Sequence, residues 1–424
     1  MEEKKYFHKI YNGTETPSLK AMKFFMSEYD NFQTDMKFIH IAGTNGKGSC
    51  AEMISNILIC QGYKVGKLIS PHLVRYNERI TINKEEISDE DLDNFIKELE
   101  PKINKYNLKN DMKITPFEIE TIMALLYFYR KKVDFVVMEV GLGGLYDSTN
   151  IITAPLISII TSVGYDHMNI LGKTLIDIAY QKSGIMKKDS ISICFEQSQD
   201  IDEVFKKEAE KKNNKLILIK KNQIKNYRFD NNYQYFDFEN YKNIIIKMKG
   251  KKQVNNASVA IKCIEILNRS GYIISEENMR KGLKTAVNKG RMEVLNEEPL
   301  VIYDGAHNEP AIENFIEMLD IYYKDQKKVI VVSILKTKDY EKIVELLINR
   351  LKADFIFTSG NDKELYIEGK KLHDVALKYK KDQKIDIKSL DEAIKYIKKE
   401  KNNKVNFFIG SFYIYRDVKE KLRK

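Results

Sequence analysis

Residues 37–49 read KFIHIAGTNGKGS, and their order decides the fold. A short apolar run of β-preferring residues, 37–42, is followed at once by Gly43 and then by a helical apolar pattern over 49–60, which predicts strand, glycine-rich loop and helix. In that setting backbone N–H groups and a helix N-terminus hold phosphate. Glycines let the main chain wrap an anion, Lys47 brings charge to the outer phosphates, and Ser49 brings a hydroxyl. The spacing is G-x-x-G-K-G-S rather than G-x-x-x-x-G-K-[ST], so Gly43, Thr44, Asn45, Gly46, Lys47, Gly48 and Ser49 form a variant phosphate loop. A tight glycine turn with a solvated lysine is the bland alternative, and the strand–helix context argues against it.

Working outward, strands are expected at 65–70, 134–140 and 156–161 and an amphipathic helix at 117–131, an alternation that gives a mainly parallel sheet covered on both faces. Glu139 ends the run DFVVMEV and is followed by Gly141, Gly143 and Gly144. Its carboxylate therefore emerges at the carboxyl edge of the sheet, where it can bind magnesium or cap backbone amides. GLGG is not a dinucleotide site, because Tyr146 occupies the third glycine position of GxGxxG. His167, beside Asp166 in TSVGYDHMNILG, lies beyond the next strand at the same edge; taken alone it suits a structural role better than a ligand role. Lys182, in TLIDIAYQKSGIM, reads alone as a surface lysine. Residues 206–252 are Lys- and Asn-rich, and stretches such as NYQYFDF and NIIIKMK suit antiparallel hairpins on an exposed flank. A helix over 254–270 closes this half.

Asn288, Lys289 and Gly290 make the best break in the chain, dividing it into 1–288 and 289–424. Strand-like runs at 300–303, 329–334, 354–358, 385–387 and 405–409 then alternate with helical patterns, a second, Rossmann-like α/β domain without a dinucleotide fingerprint. DGAHN, residues 304–308, sits at a strand's carboxyl end, where α/β sheets bind ligands; the alternative is a helix cap by Asp304 with His307 a bystander. Arg291, beside the break, can reach phosphate across a cleft or pair with a surface acid.

Composition bounds these readings. With 424 residues, 43% hydrophobic and 31% charged, the chain can build two or three domains with their own cores. Cys50, Cys60, Cys194 and Cys263 lack metal or disulfide spacing and read as reduced thiols. There is no secretory signal pattern, and the apolar runs fall short of the roughly 20 residues that span a bilayer, so a cytoplasmic protein without a membrane partner is expected. The net charge of +10 is spread along the whole length, which suits anionic small substrates better than nucleic acid.

Taken together, HIAGTNGKGS, ISPHLVRYNERI, TPFE, MEVGLGGLYDSTN, SVGYDHMNILGKTL with YQKSGI, QVNNA, GRMEV, YDGAHN and GSFYIYRDV resemble, in order and over nearly the whole chain, the folylpolyglutamate synthase and dihydrofolate synthase family, a branch of the Mur-type ATP-dependent amide ligases. The resemblance implies an α/β architecture: a P-loop Mur-ligase-type ATPase domain with a mainly parallel sheet and a small β-flank, then a Rossmann-like C-terminal domain. It implies that ATP phosphorylates a carboxylate, which the amine of L-glutamate then attacks. Thr44, Asn45, Gly46, Lys47, Gly48, Ser49, Asn256, Arg291 and Asp304 match ATP contacts. Ser70, Glu139 and His167 match magnesium positions, two Mg2+ ions being expected. Lys182 matches a carbamylated lysine, which with Lys47 and His307 makes the catalytic set. Thr115, Pro116, Phe117 and Glu118, with Asp147, Ser148 and Thr149, match the pterin-binding region. The partners implied are reduced folate or dihydropteroate and L-glutamate, acted on by a monomer.

The sequence departs from the family pattern at Leu145, Gln181, Lys252 and Glu309, where the family usually has arginine, glutamate, histidine and proline. Leu145 bears on pterin specificity more than on catalysis. A muropeptide ligase is the competing expectation, but those enzymes carry an N-terminal domain for the UDP group and here the phosphate loop begins at Gly43. A regulatory GTPase would need an N/TKxD base-reading element, which neither INKEE nor VNKGR supplies.

Overall fold

Strand β1 (Phe38–Ala42) is buried at every position, as a central strand covered on both faces must be. The computed structural model describes residues 18–362, 364–399 and 404–423. In it β1 lies between β5 (Phe135–Glu139) and β6 (Ile157–Ile160), both parallel to it. Beyond β5 come β2 (Val65–Leu68), β3 (Ile80–Ile82) and β4 (Glu85–Glu86); beyond β6 come β7 (Ile191–Phe195) and β8 (Lys215–Ile219). Only β3 is reversed, pairing antiparallel with both β2 and β4. The carboxyl ends of β5, β1 and β6 are therefore neighbours at one edge. The loops that follow them carry Gly141 to Gly144, Gly43 to Gly46 and Ser162 to His167.

The expected strands and helices at 37–42, 49–60, 117–131, 134–140 and 156–161 all form, with small shifts of boundary. The segment 206–252 is corrected in its first part. It begins inside the helix Gln199–Lys211, whose Ile201, Phe205 and Ala209 recur at i, i+4 and i+8 and are buried, and continues into β8, which is parallel to β7. The antiparallel flank is confined to β9 (Ile224–Phe229), β10 (Gln234–Phe238) and β11 (Tyr241–Ile246). Charged composition hid the helix, although its lysines keep to the solvent face and only Asp202 and Glu208 among its charges are buried.

The second sheet runs β12 (Glu293–Asn296), β13 (Val301–Asp304), β17 (Lys404–Ile409), β14 (Lys327–Val332), β15 (Asp354–Phe357) and β16 (Ile385–Ile387). The five expected strands are parallel, and β12, which sequence reasoning missed, pairs antiparallel with β13 and makes the sheet mixed. Each sheet has its own apolar clusters; Leu73 and Val74 cross over to pack on one cluster of the second sheet. Cys50, Cys194 and Cys263 are buried free thiols and Cys60 is half-buried. Among the described residues no helix is long and apolar enough to cross a membrane.

The helix Lys47–Cys60 is fixed in place by an unusually close neighbour. A Cβ on Gly282, in the helix Glu276–Thr285, would stand 2.5 Å from Ile57 Cα, and buried Asn56 donates Nδ2–H to Gly282 O at 2.7 Å and to Thr285 Oγ1 at 2.9 Å. Gly282→Ala should force the two helices apart and cost about 1–3 kcal/mol, readable as a lower midpoint at unchanged slope in urea unfolding. An unchanged midpoint would mean that the contact yields without cost.

Candidate active site

The phosphate loop is held open by bonds made behind it. Thr44 N–H donates to Ser162 O at 2.7 Å and Asn45 N–H to Ser162 Oγ at 3.0 Å. Thr161 Oγ1 donates to Asn45 O at 2.8 Å, and Gly164 N–H to Thr44 Oγ1 at 3.0 Å. Gly46 has φ +90°, and a Cβ there would meet Asn256 Oδ1 at 2.7 Å, so the loop turns as it does only because the residue is glycine. The first intrahelical bond is Cys50 N–H to Gly46 O at 2.9 Å, which leaves the amides of Lys47, Gly48 and Ser49 facing out of the helix end, where an anion is favoured.

Charged groups ring that helix end. Lys47 Nζ donates to Gly43 O at 3.0 Å and stands 3.8 Å from the Glu139 carboxylate. Glu139 is buried; burial pushes its carboxyl up, opposed by Lys47 and by a backbone N–H of Ser70. Lys182 is 2% exposed, with its amine pushed down to about 7 by burial and then by the Lys47 charge. It is no surface lysine. A cleft of about 390 Å³ is lined by the loop, Ser70, Glu139, His167 and Lys182 together with Arg291 and His307 from the second half. No three His, Cys, Asp or Glu side chains among the described residues cluster as a metal cage. Glu139, Ser70 and His167 in one cleft instead fit a hard dication that takes few protein ligands and completes its shell with phosphate and water.

The second half delivers its residues through strand ends. Asp304 is buried at the end of β13, accepting from Met292 N–H at 3.0 Å and Ala306 N–H at 2.9 Å, with Arg291 Nη1 at 3.8 Å. The Arg291 guanidinium lies 4.5 Å from the Phe412 ring centre, so a cation–π contact as well as Asp304 fixes its direction. His307 Nδ1 is 2.7 Å from Gly305 O, and burial, then Lys338, hold its pKa down to about 3. The ring is neutral, so Nδ1–H donates to the carbonyl and Nε2 carries the lone pair.

Hydrogen bonds join the halves across the cleft, among them three centred on Asn308 and Asp166. Asn45 Nδ2 donates to Asn308 Oδ1 at 3.0 Å, Asn308 Nδ2 to Asp166 Oδ2 at 2.9 Å, and Lys338 Nζ to Asp166 Oδ1 at 2.7 Å. Burial resists ionisation of Asp166, but Lys338, His167 and Asn308 outweigh it and hold the carboxyl below its usual range. Asn288 Nδ2 also donates to Ser49 Oγ at 2.9 Å. His167, at φ +51°, precedes the short helix Met168–Leu171, and Lys338 Nζ is 3.4 Å from its Nε2. Lys338 and Phe412 were not singled out in the sequence. The available signal was position: residues 333–339 follow the carboxyl end of β14, the edge where α/β sheets bind ligands.

The remaining expected residues sit beside the cleft rather than on its surface. Asn256 backs the phosphate loop and Asp304 backs Arg291. Thr115 and Glu118 bond each other as the capping box of the helix Pro116–Arg130, at 2.8 Å and 3.2 Å. Phe117 lies against Gly141, where a Cβ would stand 2.5 Å from the ring, and Gly141 lines the cleft. Buried Asp147 accepts from Leu142 N–H at 2.8 Å and from Thr149 N–H at 3.0 Å; Ser148 Oγ is 2.6 Å from Thr121 Oγ1, and Thr149 Oγ1 is 2.8 Å from His40 Nε2. These bonds brace the loop over Gly141 to Gly144.

Residues 41–264 match the Mur ligase middle domain and residues 290–412 the Mur ligase glutamate ligase domain. The chain is 34% identical over 421 residues to the dihydrofolate synthase/folylpolyglutamate synthase of Bacillus subtilis, covering 96% of this chain and 95% of that one. Among solved structures, the folylpolyglutamate synthase of Thermotoga maritima superposes with a TM-score of 0.84 at 32% identity, covering 100% of this chain and 96% of the other. A folylpolyglutamate synthase–AMPPCP complex does so with a TM-score of 0.84 at 25% identity, covering 100% and 99%. With both halves matched and identity sustained over nearly the whole length, the chain belongs to the Mur-type ligases, in the dihydrofolate synthase/folylpolyglutamate synthase family.

Proposed function

We propose that this chain uses ATP to activate the terminal carboxylate of a reduced folate and joins it to the amine of L-glutamate, with dihydropteroate as a second acceptor. The observation that carries this reading is the meeting in one cleft of the outward-facing amides of Lys47, Gly48 and Ser49 with Arg291 and His307 from the other half, in a chain whose relatives are named for that chemistry. Residues 1–288 act as the ATP-binding domain with the acceptor loops, and 289–424 as the domain that brings glutamate. The enzyme works as a cytoplasmic monomer on small molecules, without nucleic acid or membrane.

The phosphate loop amides and Lys47 bind the ATP phosphates, with Asn256 shaping the loop from behind. An oxygen of the acceptor carboxylate attacks the γ-phosphorus and ADP leaves, giving an acyl phosphate. Arg291, aimed by Asp304 and Phe412, stabilises charge on the transferring phosphoryl group from the side opposite the loop. His307, neutral, offers Nε2 to an N–H of the incoming glutamate amine and orients it. The amine attacks the acyl carbon, phosphate departs with the former carboxylate oxygen, and the amide nitrogen gives up its proton. Glu139, Ser70 and His167 would hold magnesium, which when bound supplies charge neutralisation to the phosphates. Phe117, beside Gly141, is the ring on which the pterin stacks, while Thr115, Pro116 and Glu118, with Asp147, Ser148 and Thr149, hold the helix and loop that position it.

Lys182 supports a carbamate by its chemistry. A buried amine of pKa about 7 that lines the cleft, with no hydrogen bond or ion pair among the described residues, is substantially uncharged at neutral pH. It can add CO2 with loss of one proton, turning a neutral amine near Lys47 into an anionic oxygen donor.

Phosphate release from ATP should require folate acceptor, magnesium and L-glutamate together, and Lys47→Ala should reduce kcat by about 100-fold or more while leaving the circular dichroism unchanged. Turnover of a UDP-muropeptide, or of none of the folate acceptors, would overturn the reading. For Lys182 the sign follows from the neutral amine being the reactive form. Activity in CO2-depleted buffer, restored by bicarbonate, should recover better above pH 7 than below it, and mass spectrometry of trapped carbamate should locate the group on Lys182. Equal recovery at pH 6 and pH 8 would count against it.

A further inference from the structure

His40 is 0% exposed and takes no part in the chemistry above. It lies on β1, just before the phosphate loop, with Met138 of β5 opposite it on one side and Ser158 of β6 on the other. Burial, then the Lys187 charge, hold its pKa down to about 3, so the ring is neutral. Its partner decides the tautomer. Three donors converge on the buried Asp147 carboxylate: Leu142 N–H at 2.8 Å, Thr149 N–H at 3.0 Å and the Thr149 hydroxyl at 2.5 Å. With its one hydrogen directed at Asp147, Thr149 Oγ1 accepts from His40 Nε2–H, 2.8 Å away.

Nδ1 is then a bare lone pair, buried with no hydrogen bond among the described residues. An unsatisfied buried nitrogen costs about 1–3 kcal/mol, and an apolar side chain in the same place would avoid that cost. What the imidazole adds is the single bond to Thr149. That bond leads to the cleft by two routes. Asp147 holds the amide of Leu142, which lines the cleft with Gly141 and Gly143. Ser148 Oγ is 2.6 Å from Thr121 Oγ1, which donates to Phe117 O at 2.8 Å. Thr149 is itself 0% exposed, so it acts through these bonds and not by touching an acceptor.

The strand that ends in the phosphate loop therefore also anchors the loop and the helix on the acceptor side. We propose that His40 is a positioning residue for the acceptor: by holding Thr149 it keeps the 141–149 loop and Phe117 in register with the phosphate loop, so that the acceptor carboxylate is presented to the γ-phosphorus. The assignment rests on the ligase reading.

Initial rates are measured for the full-length protein and for His40→Leu, His40→Gln, Thr149→Val and the double variant His40→Leu/Thr149→Val, varying in turn the folate acceptor, ATP and L-glutamate, with urea midpoints taken in parallel. The KM for the acceptor should rise about tenfold in His40→Leu and in Thr149→Val, as for the loss of one buried hydrogen bond. The KM values for ATP and L-glutamate should change by less than about twofold. In the double variant the acceptor KM should be no higher than in either single one, because both substitutions remove the same bond. Glutamine can place an Nε2–H where the imidazole has one, so His40→Gln should recover most of the acceptor KM even if its urea midpoint falls. If His40→Leu does not fold, Thr149→Val and His40→Gln still decide the matter. An equal rise in the KM for ATP, no rise, additive effects in the double variant, or acceptor KM values that follow the urea midpoint instead of the bond to Thr149 would overturn the assignment. Failure of the unaltered protein to use any folate acceptor would instead overturn the ligase reading, and the role of His40 with it.

Discussion

The outward-facing amides of Lys47, Gly48 and Ser49 are the constraint on which the rest of the structure depends. A helix end carries partial positive charge, and here that end is turned into a cleft with Lys47 beside it. Without an anion such a cluster repels itself. Neighbouring features support the loop from behind or bring a counter-charge: the Ser162 and Thr161 bonds hold its main chain, Asn256 fills the space that Gly46 leaves, and Glu139 stands 3.8 Å from the lysine. The close fit of Gly282 against Ile57 keeps the helix from backing away.

The second half brings a further cation to this cleft. Arg291, which in the proposed reaction meets the phosphoryl group on the side away from the loop, is carried on a linker pinned by Asp304 through Met292 N–H and by Glu293 through Gly290 N–H at 2.7 Å. Asp166 then gathers Lys338 and Asn308 across the gap. Such charged and polar junctions, unlike an apolar seam, can reorganise when substrates bring their own charges.

Much of this was legible in the sequence because phosphate chemistry has local requirements. Glycines, a lysine and a hydroxyl at a strand–helix junction can be read from residues 37–49 alone, and Glu139 and His307 follow from strands that end in glycine-rich turns. What stayed hidden was set by distance in the chain. Nothing in LKTKDY announces that Lys338 pairs with Asp166, 172 residues away, and nothing in GRMEV announces that β12 returns antiparallel. Lys182 read as a surface lysine in isolation, because helix position alone does not reveal what covers that turn. At Thr115 and Glu118 a local rule was visible, since T-x-x-E before an apolar run is a capping box. The two side chains are engaged with each other, leaving Phe117 as the group beside the cleft.

The central claim is that a carboxylate is activated by phosphoryl transfer in this cleft before the amide forms. The most direct test follows oxygen. An acceptor labelled with 18O in its terminal carboxylate is turned over with ATP and L-glutamate, and the inorganic phosphate is analysed by mass spectrometry. Passage through an acyl phosphate predicts one 18O in each phosphate released with ligated product; phosphate free of label would contradict the account.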